Sequence, residues 1–394
     1  MNYMRRLFII MKRMKLNKIF FLISYSIFLL LIMYSNVEAI QSCSKYLQLI
    51  AYIFLLLIFI INSKKSVNIK SLLKSVIMIL ICIITFMQGL QSNRNDYYFI
   101  DLILLMIAEK NIKFDDIIKF DFYYKFINII FIVLLAKIGF IDNLTFYRDG
   151  IVRYSYGFSH PNVLSALLTI CTIDLIYLST KNKKYNISAI ILTIISLYIV
   201  TFVTQSRSSF LMLILVVIFY FLVRKKTGEK IVSFFRYLIY ILFPLNCILS
   251  LYITYLYYIN NHIGVELDRL LSGRLFYNSI YLTYHNINLF GNSLYFTGIS
   301  AKNYYGRYTM ILDNSYVYTL LRFGVISIIF LSILFFLECK KLYSKKRYFL
   351  ILILVSFLIY GLFERHSLIV FYNPFLLLFG NIIHKENNDI KEME

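Results

Sequence analysis

Apolar residues fall along this chain in long unbroken runs, not in strict alternation or one-sided stripes. The runs cover 19–35, 46–62, 75–90, 95–108, 122–140, 160–179, 187–203, 208–223, 237–256, 313–337, 348–363 and 367–383. Short polar segments separate them. A helix needs about 20 apolar residues to cross the roughly 30 Å hydrocarbon core of a bilayer. Lipid cannot hydrogen-bond a bare backbone, and the dyad pattern of a barrel strand is absent, so the runs predict helices. The expected fold is an all-α polytopic membrane protein of about 12 transmembrane helices, forming one domain over 1–394.

Composition agrees with that class. Apolar residues are 60% of the chain and charged residues 15%, and mean hydropathy is +0.72. A soluble globule is nearer half apolar and a quarter charged. The net charge of +21 would suit nucleic acid, but its distribution argues otherwise. With the N-terminus inside, 28 of the 41 Lys and Arg residues fall on the cytoplasmic side and 10 on the outer side. Each inner loop carries a cluster, as the positive-inside rule requires. Both termini are therefore expected inside, and no nucleic-acid partner is expected.

At the front, a basic stretch, the run 19–35 and Val37-Glu38-Ala39 imitate a secretory signal. The run is long for a signal peptide and Glu38 is a poor neighbour for cleavage, so an uncleaved anchor is expected. Cys82, Cys171 and Cys247 lie in apolar runs, and Cys43 and Cys339 fall on opposite sides. Neither a disulfide framework nor a metal-binding spacing follows. Two outer segments stand apart: a loop at 141–159 and a large loop at 257–312, between spans 9 and 10. Apolar residues at helical spacing over 267–276 predict a helix lying along the interface. Tyr252, Tyr255, Tyr257 and Tyr258 suit an aromatic belt, with stacking on sugar rings as the alternative.

Cations are scarce on the outer face, so each needs a reason beyond topology. Arg148 and Arg153 lead directly into Gly157-Phe158-Ser159-His160-Pro161-Asn162. Pro161 suits the first helical turn, with Ser159 or His160 capping it. A helix N-terminus beside two arginines attracts phosphate, although the same residues also describe a plain capped helix start. Arg207 sits in a short polar patch between two spans, at a depth where charge is paired, functional or snorkelling to the headgroups. Arg274 and His285 belong to the large loop. Asp313-Asn314-Ser315-Tyr316 precedes a long span containing Gly324, with Asp313 either a helix cap or a chemical group.

These motifs, with Ser206-Arg207-Ser208 and Ser272-Gly273-Arg274, resemble in order and outer placement the Wzy-type polysaccharide polymerases, grouped with the O-antigen polymerases and ligases. The similarity covers about 141–324 by motif and the whole chain by span layout. It implies a GT-C-like, metal-independent glycosyltransferase of the bacterial cytoplasmic membrane that needs no cofactor. Its substrates would be undecaprenyl-diphosphate-linked oligosaccharides, joined into a capsular or other surface polysaccharide, with a flippase and a chain-length regulator as pathway partners. Arg148, Arg153, Asn162, Arg207, Arg274 and Asn314 are then expected to bind substrate. Ligase relatives carry a His before the residue matching Asn314. Here Asp313 stands in that place and takes the expected role of general base, with His160 and His285 in reserve. The alternatives are ligase-like transfer to another acceptor, or a flippase or transporter of lipid-linked sugars.

Overall fold

A computed structural model describes residues 2–63, 97–294 and 311–383, except Asn111 and Asp149, with side chains from Leu16 onward; only isolated helical residues are described between 64 and 96. The span expected at 75–90 therefore lies outside the described residues, as do Lys302 and Arg307 of the large loop.

Helices dominate. They are α1 (Asn2–Met33), α2 (Glu38–Ser63), α3 (Tyr98–Ala108), α4 (Phe114–Lys137), α5 (Pro161–Lys181) and α6 (Asn186–Tyr198, running on as a π turn over Ile199–Val203). They continue with α7 (Arg207–Arg224), α8 (Thr227–Phe234), α9 (Arg236–Tyr258), α10 (His262–Leu270), α11 (Arg274–Tyr284), α12 (Ser315–Ser344) and α13 (Tyr348–Tyr360). A helix apolar all around faces either lipid or packed protein, and α5 is enclosed by protein. Nearly all of its residues are buried, and it packs against α4, α6 and α7. Around it α1 pairs with α2, α7 with α13, and α9 with α12.

The expectation of about 12 spans is met only in part. Seven helices among the described residues are long and apolar enough to cross a membrane. Helix α4 has the length but carries Asp115, Asp116, Lys119, Asp121 and Lys125. Its deeper charges are paired: Tyr25 donates to Asp121 at 2.7 Å, and Lys125 donates to the same carboxylate with both side chains fully buried. The expected spans at 95–108, 348–363 and 367–383 are shorter. They become α3, α13, and two 3₁₀ segments (Arg365–Leu368 and Pro374–Phe379) ending in one helical turn (Gly380–Ile383). Buried polar hinges separate these pieces, because Glu364 and Asn373 interrupt the apolar run.

The two segments expected as outer loops carry regular structure among their described residues. The 141–159 segment folds into an antiparallel hairpin, β1 (Thr145–Arg148) with β2 (Ile151–Tyr154). Gly150 stands in the connection between the strands at φ 76°, the left-handed conformation that a tight hairpin turn requires. The single helix expected over 267–276 is broken in two: Ser272 (φ 58°) and Gly273 (φ 80°) end α10 and begin α11.

Further along, the chain at 288–292 lies against α12 where that helix kinks at Gly324 (φ 83°). Val325 N donates to Asn288 O at 3.1 Å, Ile326 N to Leu289 O at 3.1 Å, and Asn292 N to Leu321 O at 2.8 Å. The loop thereby satisfies backbone groups that the kink withdraws from the helix. A Cβ on Gly324 would stand 2.3 Å from Leu289 O, so the close approach requires glycine.

Candidate functional site

The hairpin, the N-termini of α5, α7, α11 and α12, and residues 363–366 after α13 converge at one end of the bundle around a cavity of about 600 Å³. Strand alternation sets the first two arginines. Arg148 pairs with Ile151 and Arg153 with Phe146, so both arginines project from the same hairpin face. Arg148 Nη2 donates to Gln205 O at 2.7 Å. Arg153 Nε donates to Thr204 O at 2.7 Å, and its Nη2 donates to Asn162 Oδ1. One buried guanidinium thus ties the hairpin, the turn before α7 and the first turn of α5 together.

At α5, His160 is the N-cap: its Nδ1 accepts from Asn162 N at 3.1 Å, with Pro161 at the first helical position. Gly157 (φ 91°) lets the chain enter closely, since a Cβ there would stand 2.9 Å from Ile132 Cγ2. At α7, Ser206 makes no side-chain cap bond, and Arg207 and Ser208 line the cavity. The positive end of this helix therefore faces the same space as the arginines. Helix α11 differs, because Asp268 Oδ1 already accepts from Leu275 N (2.7 Å) and Phe276 N (3.0 Å).

Two carboxylates answer the cations. Arg274 Nη2 donates to Glu364 Oε1 at 2.6 Å and its Nε to Asp313 Oδ2 at 3.4 Å. Ser208 Oγ also donates to Glu364 Oε1, at 2.6 Å. The Glu364 side chain is 3% exposed and that of Asp313 31%, so Glu364 is built in and Asp313 faces the cavity. Capping of α12 falls to Asn314, whose Oδ1 accepts from Tyr316 N and Val317 N.

Five guanidiniums, of Arg148, Arg153, Arg207, Arg274 and Arg365, therefore face two carboxylates across this space. Burial, and then the neighbouring Arg148, lower the Arg153 pKa to about 10 against the pull of Glu364. Burial also acts to lower that of Arg274, but Glu364 and Asp313 outweigh it and hold the guanidinium more basic than usual. Burial followed by Arg153 depresses His160 to about 4; burial followed by Arg365 depresses His366 to about 3. Both imidazoles are neutral near pH 7 and able to accept a proton or hydrogen bond. The cavity is short of negative charge, which is the electrostatic condition for holding an anionic group.

Seven sequence-selected residues line this one cavity: Arg148, Arg153, His160, Asn162, Arg207, Arg274 and Asp313. Two do not. His285 lies at the end of α11, stacked on Tyr281 at 6.1 Å. Asn314, expected to bind substrate, is buried; its amide nitrogen donates to Ser250 Oγ (3.0 Å) and Leu362 O (3.1 Å) while its oxygen caps α12. Its hydrogen-bonding groups are used within the fold.

Sequence reasoning passed over Glu364 and His366. Their signal was available: Glu364-Arg365-His366 is a polar island between two apolar runs, as the patch around Arg207 is. Among the described residues, no group of three or more His, Cys, Asp and Glu side chains is placed to hold a metal ion. Compared with known proteins, the chain matches no family model, no curated sequence and no solved structure.

Proposed function

We propose that this protein transfers a glycan from a polyprenyl diphosphate to a sugar hydroxyl, joining lipid-linked repeat units into a surface polysaccharide at the outer face of a bacterial cytoplasmic membrane. The observation that carries the reading is the convergence of five guanidiniums, from segments spread over more than half the chain, on one cavity at a helix N-terminus. The oxygen of the attacking hydroxyl bonds to the anomeric carbon of the donor. The bond from that carbon to the diphosphate breaks, and the diphosphate leaves with the electron pair. Its growing charge is stabilised by cations already in position, with Arg207 and the α7 amides nearest open space and Arg153 and Arg274 fixed behind them.

Asp313 takes the hydroxyl proton. Of the two carboxylates it is the one with free access to the cavity, and its weaker 3.4 Å contact with Arg274 leaves it oxygen lone pairs to offer. Glu364 holds Arg274 in place. Transfer to a different acceptor, as a ligase performs, would use the same groups.

The test is elongation of lipid-linked repeat units by purified full-length protein in lipid nanodiscs, alongside the glycans of cells lacking it. Polymer formed in vitro, and single units stranded on lipid at the outer face in the deletion strain, are the expected results. A second reading, a flippase or transporter of lipid-linked sugars, draws on one observation. Asp121 and Lys125 form a fully buried pair within α4, and ionisable groups at such depth often serve transport. Retention of single units on the cytoplasmic face of the deletion strain would favour it over the polymerase.

A further inference from the structure

A second cavity of about 440 Å³ adjoins the first. Four residues, Ser159, Val163, Arg365 and His366, line both spaces, so they form the partition between them. The character of the second space is different. Among the described residues its polar lining is Ser35, Gln41, Ser44, Gln48 and Asp101, and Arg365 in the partition is its one guanidinium. The Asp101 carboxylate is held by the Tyr52 hydroxyl at 2.7 Å. Ring surfaces of Phe28, Tyr98, Phe371 and Tyr372 complete the walls. Amides, hydroxyls and one carboxylate are hydroxyl-binding groups, and a single guanidinium at one wall is far less positive charge than the first cavity offers a diphosphate.

The partition holds the second observation. His366 Nδ1 is buried with no hydrogen-bond partner among the described residues, and Glu364 Oε2 lies 3.9 Å away, beyond bonding distance. The ring is stacked on Tyr372, centroids 4.1 Å apart. Buried polar atoms left without partners are uncommon and call for an explanation. A ligand hydroxyl at the partition supplies one.

Resting on the reading of the first cavity as a diphosphate-glycan site, we propose that the second cavity binds the acceptor as a neutral, hydroxyl-rich saccharide. Its leading hydroxyl is positioned at the partition by His366 and presented toward Asp313. The donor's charge and the acceptor's hydroxyls are thus sorted into separate spaces that meet at one wall. His366 is a positioning residue here, and the proton of the hydroxyl still goes to Asp313.

The chain contains no tryptophan, so a single introduced indole reports on its own cavity. In full-length protein in nanodiscs, Tyr98→Trp marks the second cavity and Tyr277→Trp the first. The probes are undecaprenyl diphosphate alone and lipid-linked repeat units extracted from cells lacking this protein. The expected pattern is a saturable emission change of Tyr277→Trp with both probes, and of Tyr98→Trp with the repeat units only. Tyr98→Trp silent to the repeat units while Tyr277→Trp responds would overturn the acceptor assignment and leave the first site standing. A response of Tyr98→Trp to undecaprenyl diphosphate alone would also overturn it, by making the space part of the donor site. Silence of Tyr277→Trp to both probes would instead remove the diphosphate reading on which the assignment rests. His366→Gln, which retains hydrogen-bonding groups, should raise the repeat-unit concentration for half-maximal change of Tyr98→Trp less than His366→Ala does. Equal values for both variants and the parent would exclude His366 from positioning.

Discussion

Arg274 donates from Nη2 to Glu364 Oε1 at 2.6 Å, linking residues ninety positions apart. The pair fastens the first residue of α11 to the polar island after α13, and Ser208 at the start of α7 donates to the same carboxylate oxygen. Three separate segments are thereby held at one point beside the cavity. A charge pair at this burial is a poor source of net stability but costs much to break from one side, because the remaining charge is left uncompensated.

Glu364→Ala should therefore destabilise the protein by about 3–5 kcal/mol, and Glu364→Gln by less, since the amide oxygen can still accept from Arg274 and Ser208. Thermal unfolding in detergent checks the order. Addition of undecaprenyl diphosphate should restore part of the loss in Glu364→Gln by supplying the missing negative charge. Equal melting temperatures for Glu364→Ala and the parent would remove the link from the account of the fold.

Arg207 is the exposed member of the arginine set and begins α7, so truncating it should leave folding intact. Arg207→Ala should reduce elongation by about 10²–10³-fold, the usual effect of removing one preorganised donor from a developing anion. Arg207→Lys should recover only part of this, because a single ammonium lacks the guanidinium fork. Polymer of normal length and yield from Arg207→Ala would reduce the residue to a headgroup anchor.

Acid should destabilise the protein through His160 and His366. Both have folded-state pKa values below the unfolded histidine value of about 6.5, at about 4 and about 3. The unfolded chain thus binds protons first as pH falls. The contribution to stability is full above about pH 6.5 and is lost progressively down to about pH 4 for His160 and pH 3 for His366. The slope is at most about 1.4 kcal/mol per pH unit for each imidazole. Melting temperature measured from pH 7 to pH 4 should fall less steeply in His160→Gln than in the parent. Parallel curves would show that His160 takes up its proton alike in the folded and unfolded chain, removing it from the acid response.

Legibility in the sequence followed the length of the signal. Runs of about 20 apolar residues gave α5, α7 and α9 within two residues, since lipid fixes both their composition and their length. Arg148, Arg153, Arg207 and Arg274 stood out because cations are scarce in the segments expected to face outward, and the fold brings them to one cavity. Glu364 and His366 escaped because their island is three residues long and closes against α7 and α11, a contact no local pattern encodes. The hairpin was missed for a different reason. Asp149-Gly150 announced it, but strands of four residues leave too little alternation to register against the surrounding apolar runs. Asn314 illustrates the opposite failure: adjacency to Asp313 suggested a shared role, whereas the start of α12 turns one side chain into the helix cap and the other into the cavity.

That division of labour sharpens the prediction for Asp313. Because Asn314 satisfies Tyr316 N and Val317 N, Asp313→Asn removes no cap and should leave the stability of α12 unchanged. It also keeps the size of the side chain and a group able to accept weakly from Arg274. What it removes is a proton acceptor beside the space where the attacking hydroxyl would stand. General-base contributions run to about 10²–10⁴-fold, so elongation by purified Asp313→Asn should fall by that order while its affinity for undecaprenyl diphosphate stays within a few-fold of the parent. Loss of binding together with turnover would recast the carboxylate as a partner that orients Arg274. Near-normal turnover would shift the search for the base to His366 and His160, the two neutral imidazoles on the same cavity wall.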